Sequence, residues 1–259
     1  MTLTHACRSS LSALTLVAAL AAPAGAQTAD AVVEKHLAAL GGREALAKLT
    51  SRHATGTFTV TIAEGSLTGP IEAWAKAPNK ARSHVELDLS PFGAAEKMVV
   101  DQRFDGTSGW ALNSMQGDSP ITGNQLENMR NNTFPSALLH YKAAGAAVEL
   151  LAPEQLNGKS VIVLKLTPKS GAATRYFLDP STHLTIRSVT TVSLPQGGGD
   201  AEQISEFSDY RVVDGVMLPF AVTNTTPMQA ATIKWQSVKH NVAIDDALFS
   251  VKGPVPGGR

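Results

Sequence analysis

Between Glu96 and Met115 the chain reads EKMVVDQRFDGTSGWALNSM. Met98, Val100 and Phe104 lead into Asp105-Gly106, and Trp110 and Leu112 follow. An Asp-Gly step supplies the positive φ angles of a tight hairpin turn, and Gly109 leaves room for a longer, bulged one. The stretch therefore predicts strand, turn, strand. It holds no catalytic pattern. It sets large apolar side chains on a sheet, as either a packed core or the wall of a hydrophobic cavity would require. Trp110 and Leu112, two apart on a strand, should share one face.

Upstream the same logic continues. Phe58, Val60 and Ile62 alternate with Thr57, Thr59 and Thr61, the period of a half-buried strand. Leu67 to Ala77 carries Trp74, and Lys80 to Leu89 alternates Val85, Leu87 and Leu89 with Glu86 and Asp88, with Pro78-Asn79 as the turn between them. Downstream, strands are expected at 148–151, 161–167, 175–178, 184–192, 204–213, 216–223 and 232–239, punctuated by Asn157-Gly158, Asp179-Pro180, Gly197-Gly198-Gly199 and Asp214-Gly215. Neighbours in such a series pair in space, which predicts an antiparallel meander.

Helices are expected in two places. Asp30 to Leu40 repeats Val33, Leu37 and Leu40 at helical spacing, with Asp30 as N-cap and Gly41-Gly42 as the stop, and Arg43 to Leu49 follows as a second piece. Between Ile121 and Ala147 the alternation breaks. Asn124 and Glu127 have capping-box spacing, Leu126 and Met129 share a face, and Pro135 can open a further helix that Gly145 closes. Helices interrupting a meander must lie on the sheet, because their apolar faces need cover.

The first 26 residues read as a secretory signal: His5 and Arg8, an apolar run from Leu11 to Ala22, then Ala24-Gly25-Ala26 for cleavage. The run is too short for a membrane anchor, and no later segment reaches about 18 apolar residues. Cleavage would remove Cys7, the only cysteine, and place Gln27 where a lipid-anchored protein needs a cysteine. The expectation is one β-rich domain over residues 27–259, exported to the periplasm or beyond, without disulfides or stable membrane insertion. The 22 basic and 22 acidic residues are interspersed, which excludes the basic stripe that nucleic acid requires.

Patterns that suggest chemistry fail on context. Gly158-Lys159-Ser160 ends like a phosphate-binding loop, but Pro153 stands where the first glycine belongs and a strand follows instead of a helix. Ser108 is not in a Gly-x-Ser-x-Gly elbow. His36, His53, His84, His140, His183 and His240 are scattered, with no pair spaced to hold a metal from one element. Glu86/Asp88 and Asp245/Asp246 read as solvated pairs. No catalytic residue, metal or cofactor is expected.

What remains is a set of large apolar residues: Phe58, Trp74, Met98, Phe104, Trp110, Leu112 and Tyr176 on strands, with Leu126 and Met129 on the intervening helix. Either they fill a solid core or they line a cavity. Flexible methionines suit the second use.

Several residues taken in order resemble a known family. They are Leu40-Gly41-Gly42, Phe104-Asp105-Gly106 before Trp110, Phe177-Leu178-Asp179-Pro180 before Leu184, Asp209-Tyr210-Arg211, Asp214-Gly215-Val216, Leu218-Pro219-Phe220 and the closing run from Asn241 to Phe249. This order resembles the bacterial outer-membrane lipoprotein-sorting proteins, the LolA/LolB superfamily. The resemblance implies a mainly β fold, a curved antiparallel sheet forming an unclosed half-barrel with helices in its mouth. It also implies a non-enzymatic periplasmic carrier that binds lipid or lipoprotein acyl chains on the concave face, the nine residues above being its candidate contacts. Two other readings stay open: an envelope interaction module with a solid interior, and a hydrolase built from scattered His and Asp residues.

Overall fold

The computed structural model describes residues 27–194 and 199–250. The expected signal segment and Cys7 lie outside the described residues. The chain enters through α1 (Ala29–Ala39) and α2 (Arg43–Ala47), then runs through β1 (Ser51–Ile62), β2 (Gly65–Lys76), β3 (Lys80–Asp88), β4 (Lys97–Phe104), β5 (Gly109–Asn113) and β6 (Gly117–Ile121). After α3 (Gly123–Asn131) come β7 (Ala147–Leu150), β8 (Glu154–Leu156), β9 (Lys159–Thr167), β10 (Thr174–Leu178), β11 (Thr185–Ser193), β12 (Asp200–Val213), β13 (Val216–Thr225) and β14 (Ala230–His240).

The strands form one antiparallel sheet in the order β6-β5-β4-β3-β2-β1-β14-β13-β12-β11-β10-β9-β7, with β8 beside β9. The chain thus begins at the centre of the sheet, meanders to one edge, crosses to the other edge and meanders back until β14 pairs with β1. The edges do not meet, so the sheet is an unclosed half-barrel with helices in its mouth. The crossing from β6 to β7 carries α3.

Strand parity sorts the side chains. Phe58 pairs with Gly69 and Ile233, Ile71 with Val85, Val85 with Val100 and Phe104 with Gly109, so these residues share one face. The helices lie on that concave face. Val32, Val33 and Leu37 of α1 and Leu46 of α2 pack with Leu164, Leu166, Leu178 and Val216 in the largest core cluster. Gly41 lets α1 approach so closely: a Cβ there would lie 2.4 Å from the Gly215 carbonyl oxygen, and its φ is +114°. The Leu40 carbonyl then accepts from Met217 N at 3.0 Å.

Three local expectations change. The N-cap of α1 is Thr28, whose hydroxyl accepts from Ala31 N at 3.2 Å, while Asp30 instead reaches Tyr141 and Lys142. In α3 the cap is Thr122 with no side-chain bond, and Glu127 turns outward to Ser170 and Arg130 instead of back to Asn124. No regular helix follows Pro135; residues 134–145 form successive turns, because burying Leu138 and Leu139 against α1 and β9 fixes the path more strongly than local propensity.

Candidate ligand-binding face

The concave face has two halves of different character. Over β9, β10 and β13 it is filled by α1, α2 and residues 134–141. Over β1–β4 and β14 it is an apolar floor: Val60, Leu67, Ile71, Val85 and Leu87 are buried, and Phe58, Met98, Val100, Ile233 and Trp235 pack against them while keeping accessible surface. Among the described residues, no helix contributes to this second cluster. The helices thus pack over one half of the concave face and leave apolar residues of the other half partly accessible.

Above the face lies α3. None of its residues is buried, and polar contacts hold it on both sides of the mouth. Toward β11 and the β9–β10 turn, Asn128 Nδ2 donates to the Thr191 carbonyl at 2.8 Å and Asn131 Nδ2 to the Ser170 carbonyl at 2.8 Å, while Ser170 Oγ donates to Glu127 at 2.6 Å. Toward the β4–β5 turn, the Arg130 guanidinium donates to the Thr107 carbonyl at 3.0 and 3.2 Å. The Ser170 and Arg130 contacts hold the Glu127 carboxyl below its ordinary pKa. Two glycines permit the close seat. A Cβ at Gly171 would come within 2.8 Å of Glu127 Cβ, and one at Gly109 within 2.9 Å of Ile121 and 3.4 Å of Met129 Sδ.

Beneath α3 is a cavity of about 310 Å³, walled by Asn128, Tyr141, Leu166, Thr174, Tyr176 and Thr190 among others. That volume is at the small end for organic ligands. Tyr176 points into it, its hydroxyl without a partner among the described residues, and burial pushes its pKa up to about 12.

The residues expected to line one surface divide between two. Phe58, Met98, Phe104 and Tyr176 are on the concave side, with Phe104 fully enclosed and the others partly open. Leu126 and Met129, on α3, are half-buried. Trp74, Trp110 and Leu112 are on the opposite face and do not belong to the concave surface. Because Phe104 pairs with Gly109, Trp110 stands opposite Arg103 and Leu112 opposite Asp101. Trp110 and Leu112 do share a face, and it is the outer one. Trp235, paired with Gly56, is a further aromatic on the concave face.

The outer face holds a buried charge cluster that nothing in local sequence announces. Asp101 accepts from Arg82 Nε at 3.1 and 3.2 Å, from Arg103 Nε at 2.8 Å and from His84 Nδ1 at 3.0 Å. Burial pushes its pKa up, and the two guanidiniums more than offset that, leaving it below the ordinary carboxylate value. Arg82 also lies 5.1 Å from the Trp74 ring centroid, and His53 stacks on that ring at 5.4 Å. The C-terminal segment covers the cluster: Phe249 is fully buried, Lys76 reaches the Ile244 carbonyl at 2.8 Å, and Lys76 and Lys80 clamp Asp246 at 2.8 and 2.7 Å. Trp74 thus packs on Arg82 and His53 of the outer face. Among the described residues, no group of three or more His, Asp or Glu side chains is placed to hold a metal ion, and no helix is long and apolar enough to cross a membrane.

No protein-family model and no curated protein matches the sequence. Solved structures do match. A DUF1329 family protein from Desulfovibrio piger superposes with a TM-score of 0.54 at 14% identity, covering 86% of this chain and 98% of that one. A LolA superfamily protein from Nitrosomonas europaea gives 0.53 at 12% identity, covering 86% and 97%. An outer-membrane lipoprotein-sorting protein domain from Vibrio parahaemolyticus gives 0.53 at 12%, covering 86% and 95%. The chain therefore has the LolA-like fold.

Proposed function

We propose that this chain is an exported, periplasmic carrier: residues 1–26 are removed, residues 27–259 fold as one domain, and a lipid or lipoprotein acyl chain binds on the concave face. The observation that carries this reading is the apolar floor of Phe58, Met98, Val100, Ile233 and Trp235, to which no helix among the described residues contributes and over whose mouth lies a helix with no buried residue. Covering a 14- to 16-carbon chain there would contribute on the order of 10 kcal/mol at about 0.8 kcal/mol per methylene, before ordering costs. No catalysis is required of it. The lipoprotein-sorting neighbour supports the ligand class by fold analogy only.

The rival use, docking a partner on a free sheet edge, is disfavoured at β6, where Asp118 and Pro120 blunt strand addition. Native mass spectrometry of protein purified from an envelope extract tests the carrier reading. Bound lipid or acylated protein is the expected result, with Phe58→Ala/Trp235→Ala reducing it. A protein that emerges empty and takes up no hydrophobic dye overturns it.

A further inference from the structure

One cation on the concave side has no counter-charge. Arg52 pairs across the sheet with Ala75 and His240, which puts it on the same face as Ala54, Gly56 and Phe58. Among the described residues its guanidinium makes no hydrogen bond and no ion pair; its one contact of note is the Phe134 ring, whose centroid is 5.8 Å away. The Asp214 carboxylate beyond His240 is already engaged, accepting from His240 Nδ1 at 3.2 Å, and it stands in solvent. Burial lowers the Arg52 pKa with nothing to offset it, and the positive charge in turn lowers that of His240. Yet Arg52 keeps some accessible surface, so it is not wholly packed shut. An arginine placed in this way carries a desolvation cost without the pairing that usually offsets it.

Its neighbour is also unsatisfied. His240 is buried, and among the described residues its Nε2 has no partner. With Nδ1–H given to Asp214, the His240 Nε2 is an acceptor, so of these two adjacent groups it is the Arg52 guanidinium that calls for an anionic oxygen. The inward positions of β1 between Arg52 and Phe58 are Ala54 and Gly56, so no bulky side chain of that strand stands between the cation and the apolar floor. The separation is six residues, about 20 Å at ~3.3 Å per residue.

We propose that Arg52 is the head-group site of the concave face, and that the ligand is a long-chain amphiphile with one anionic head, carboxylate or phosphate, paired to this guanidinium while its chain lies over Phe58 and Trp235. This rests on the carrier reading above. A planar guanidinium suits both heads, since each can accept two parallel N–H bonds.

The test is displacement of a bound hydrophobic fluorophore by palmitate, palmitoyl lysophosphatidate and methyl palmitate, each below its micelle-forming concentration. Wild type should bind at least one of the anionic probes about 10- to 100-fold more tightly than the ester, the range for a hydrogen bond to a charged group, and the tighter of the two names the head. Arg52→Met should bind all three alike, Arg52→Lys should keep part of the preference, and thermal melting should show Arg52→Met folded and no less stable than wild type. Equal binding of ester and anions by wild type, or a preference that survives in a folded Arg52→Met, overturns the head-group site and leaves the carrier standing. Failure of all three probes to displace the fluorophore overturns both.

Discussion

Arg82 and Asp101 occupy adjacent strands on the outer face, and the guanidinium grips both carboxylate oxygens, with Nε at 3.1 and 3.2 Å. Asp101 is 1% exposed, so its charge depends entirely on Arg82, Arg103 and His84 for what water would otherwise provide. Asp101→Asn leaves two buried cations facing a neutral amide. The expected loss is about 3–5 kcal/mol, the range for removing one partner of a buried pair, read from the urea midpoint. Because the folded Asp101 pKa is depressed, its contribution is present above the unfolded value and is lost as pH falls through the folded one. A loss under 1 kcal/mol would show that the cluster is solvated in solution.

Two buried histidines give a pH signature of the same sign in a higher window. His36 donates through Nδ1 to the His183 carbonyl at 2.8 Å, and desolvation lowers its pKa; His240 is lowered by desolvation and by Arg52. The folded values lie below the unfolded value near 6.5, so the unfolded chain takes up protons first. Stability should hold above about pH 7, fall as pH drops through about 6.5, and level off below the folded values. Melting temperatures of wild type and His36→Gln across pH 7.5 to 5 check this. The variant should show the shallower slope, and an equal slope would remove His36 from the account.

Gly69 is irreplaceable for a reason that lies on the next strand. A Cβ there would sit 1.7 Å from the Glu86 carbonyl oxygen and 2.8 Å from its carbon, both backbone atoms. Gly93 has φ of +79° but open space around its Cβ position. Gly69→Ala should therefore cost about 3 kcal/mol or more through backbone displacement, and Gly93→Ala about 1–2 kcal/mol from the left-handed conformation alone. Chemical denaturation of the two variants side by side separates the causes.

Much of the sheet was legible because alternation such as Phe58, Val60, Ile62 is a local signal. The relation between strands was not. The β4–β5 connection spans Asp105 to Ser108, with Asp105 Oδ1 accepting from Thr107 N and Ser108 N at 2.8 Å. That four-residue loop aligns Phe104 with Gly109 and sends Trp110 outward; a loop one residue longer or shorter would have sent it inward. The candidate site was legible only where parity within one strand sufficed, as for Met98 beside Val100. Arg52 was invisible because its surroundings include Phe134, far along the chain, and no acidic partner across the sheet marks it in sequence. Asp101 carries no local signal for the same reason: its partners come from three positions on two strands.

The polar seat of α3 predicts how the mouth opens. With no buried residue, the helix is held by Asn128, Asn131, Glu127 and Arg130, and exposed or half-exposed pairs of this kind are each worth little. Removing two of them should release α3 without touching the core formed by α1 and β9. In Asn128→Ala/Arg130→Ala, amide exchange over residues 123–131 should accelerate about tenfold or more, since losing contacts worth about 1.4 kcal/mol multiplies local opening tenfold. Global stability should move by less than about 1 kcal/mol, because local opening draws on few of the contacts that set the global value. A carrier with α3 as its gate should also take up hydrophobic dye faster in this variant. Faster exchange with unchanged uptake would show that ligand enters elsewhere, past the uncovered floor of Phe58 and Trp235.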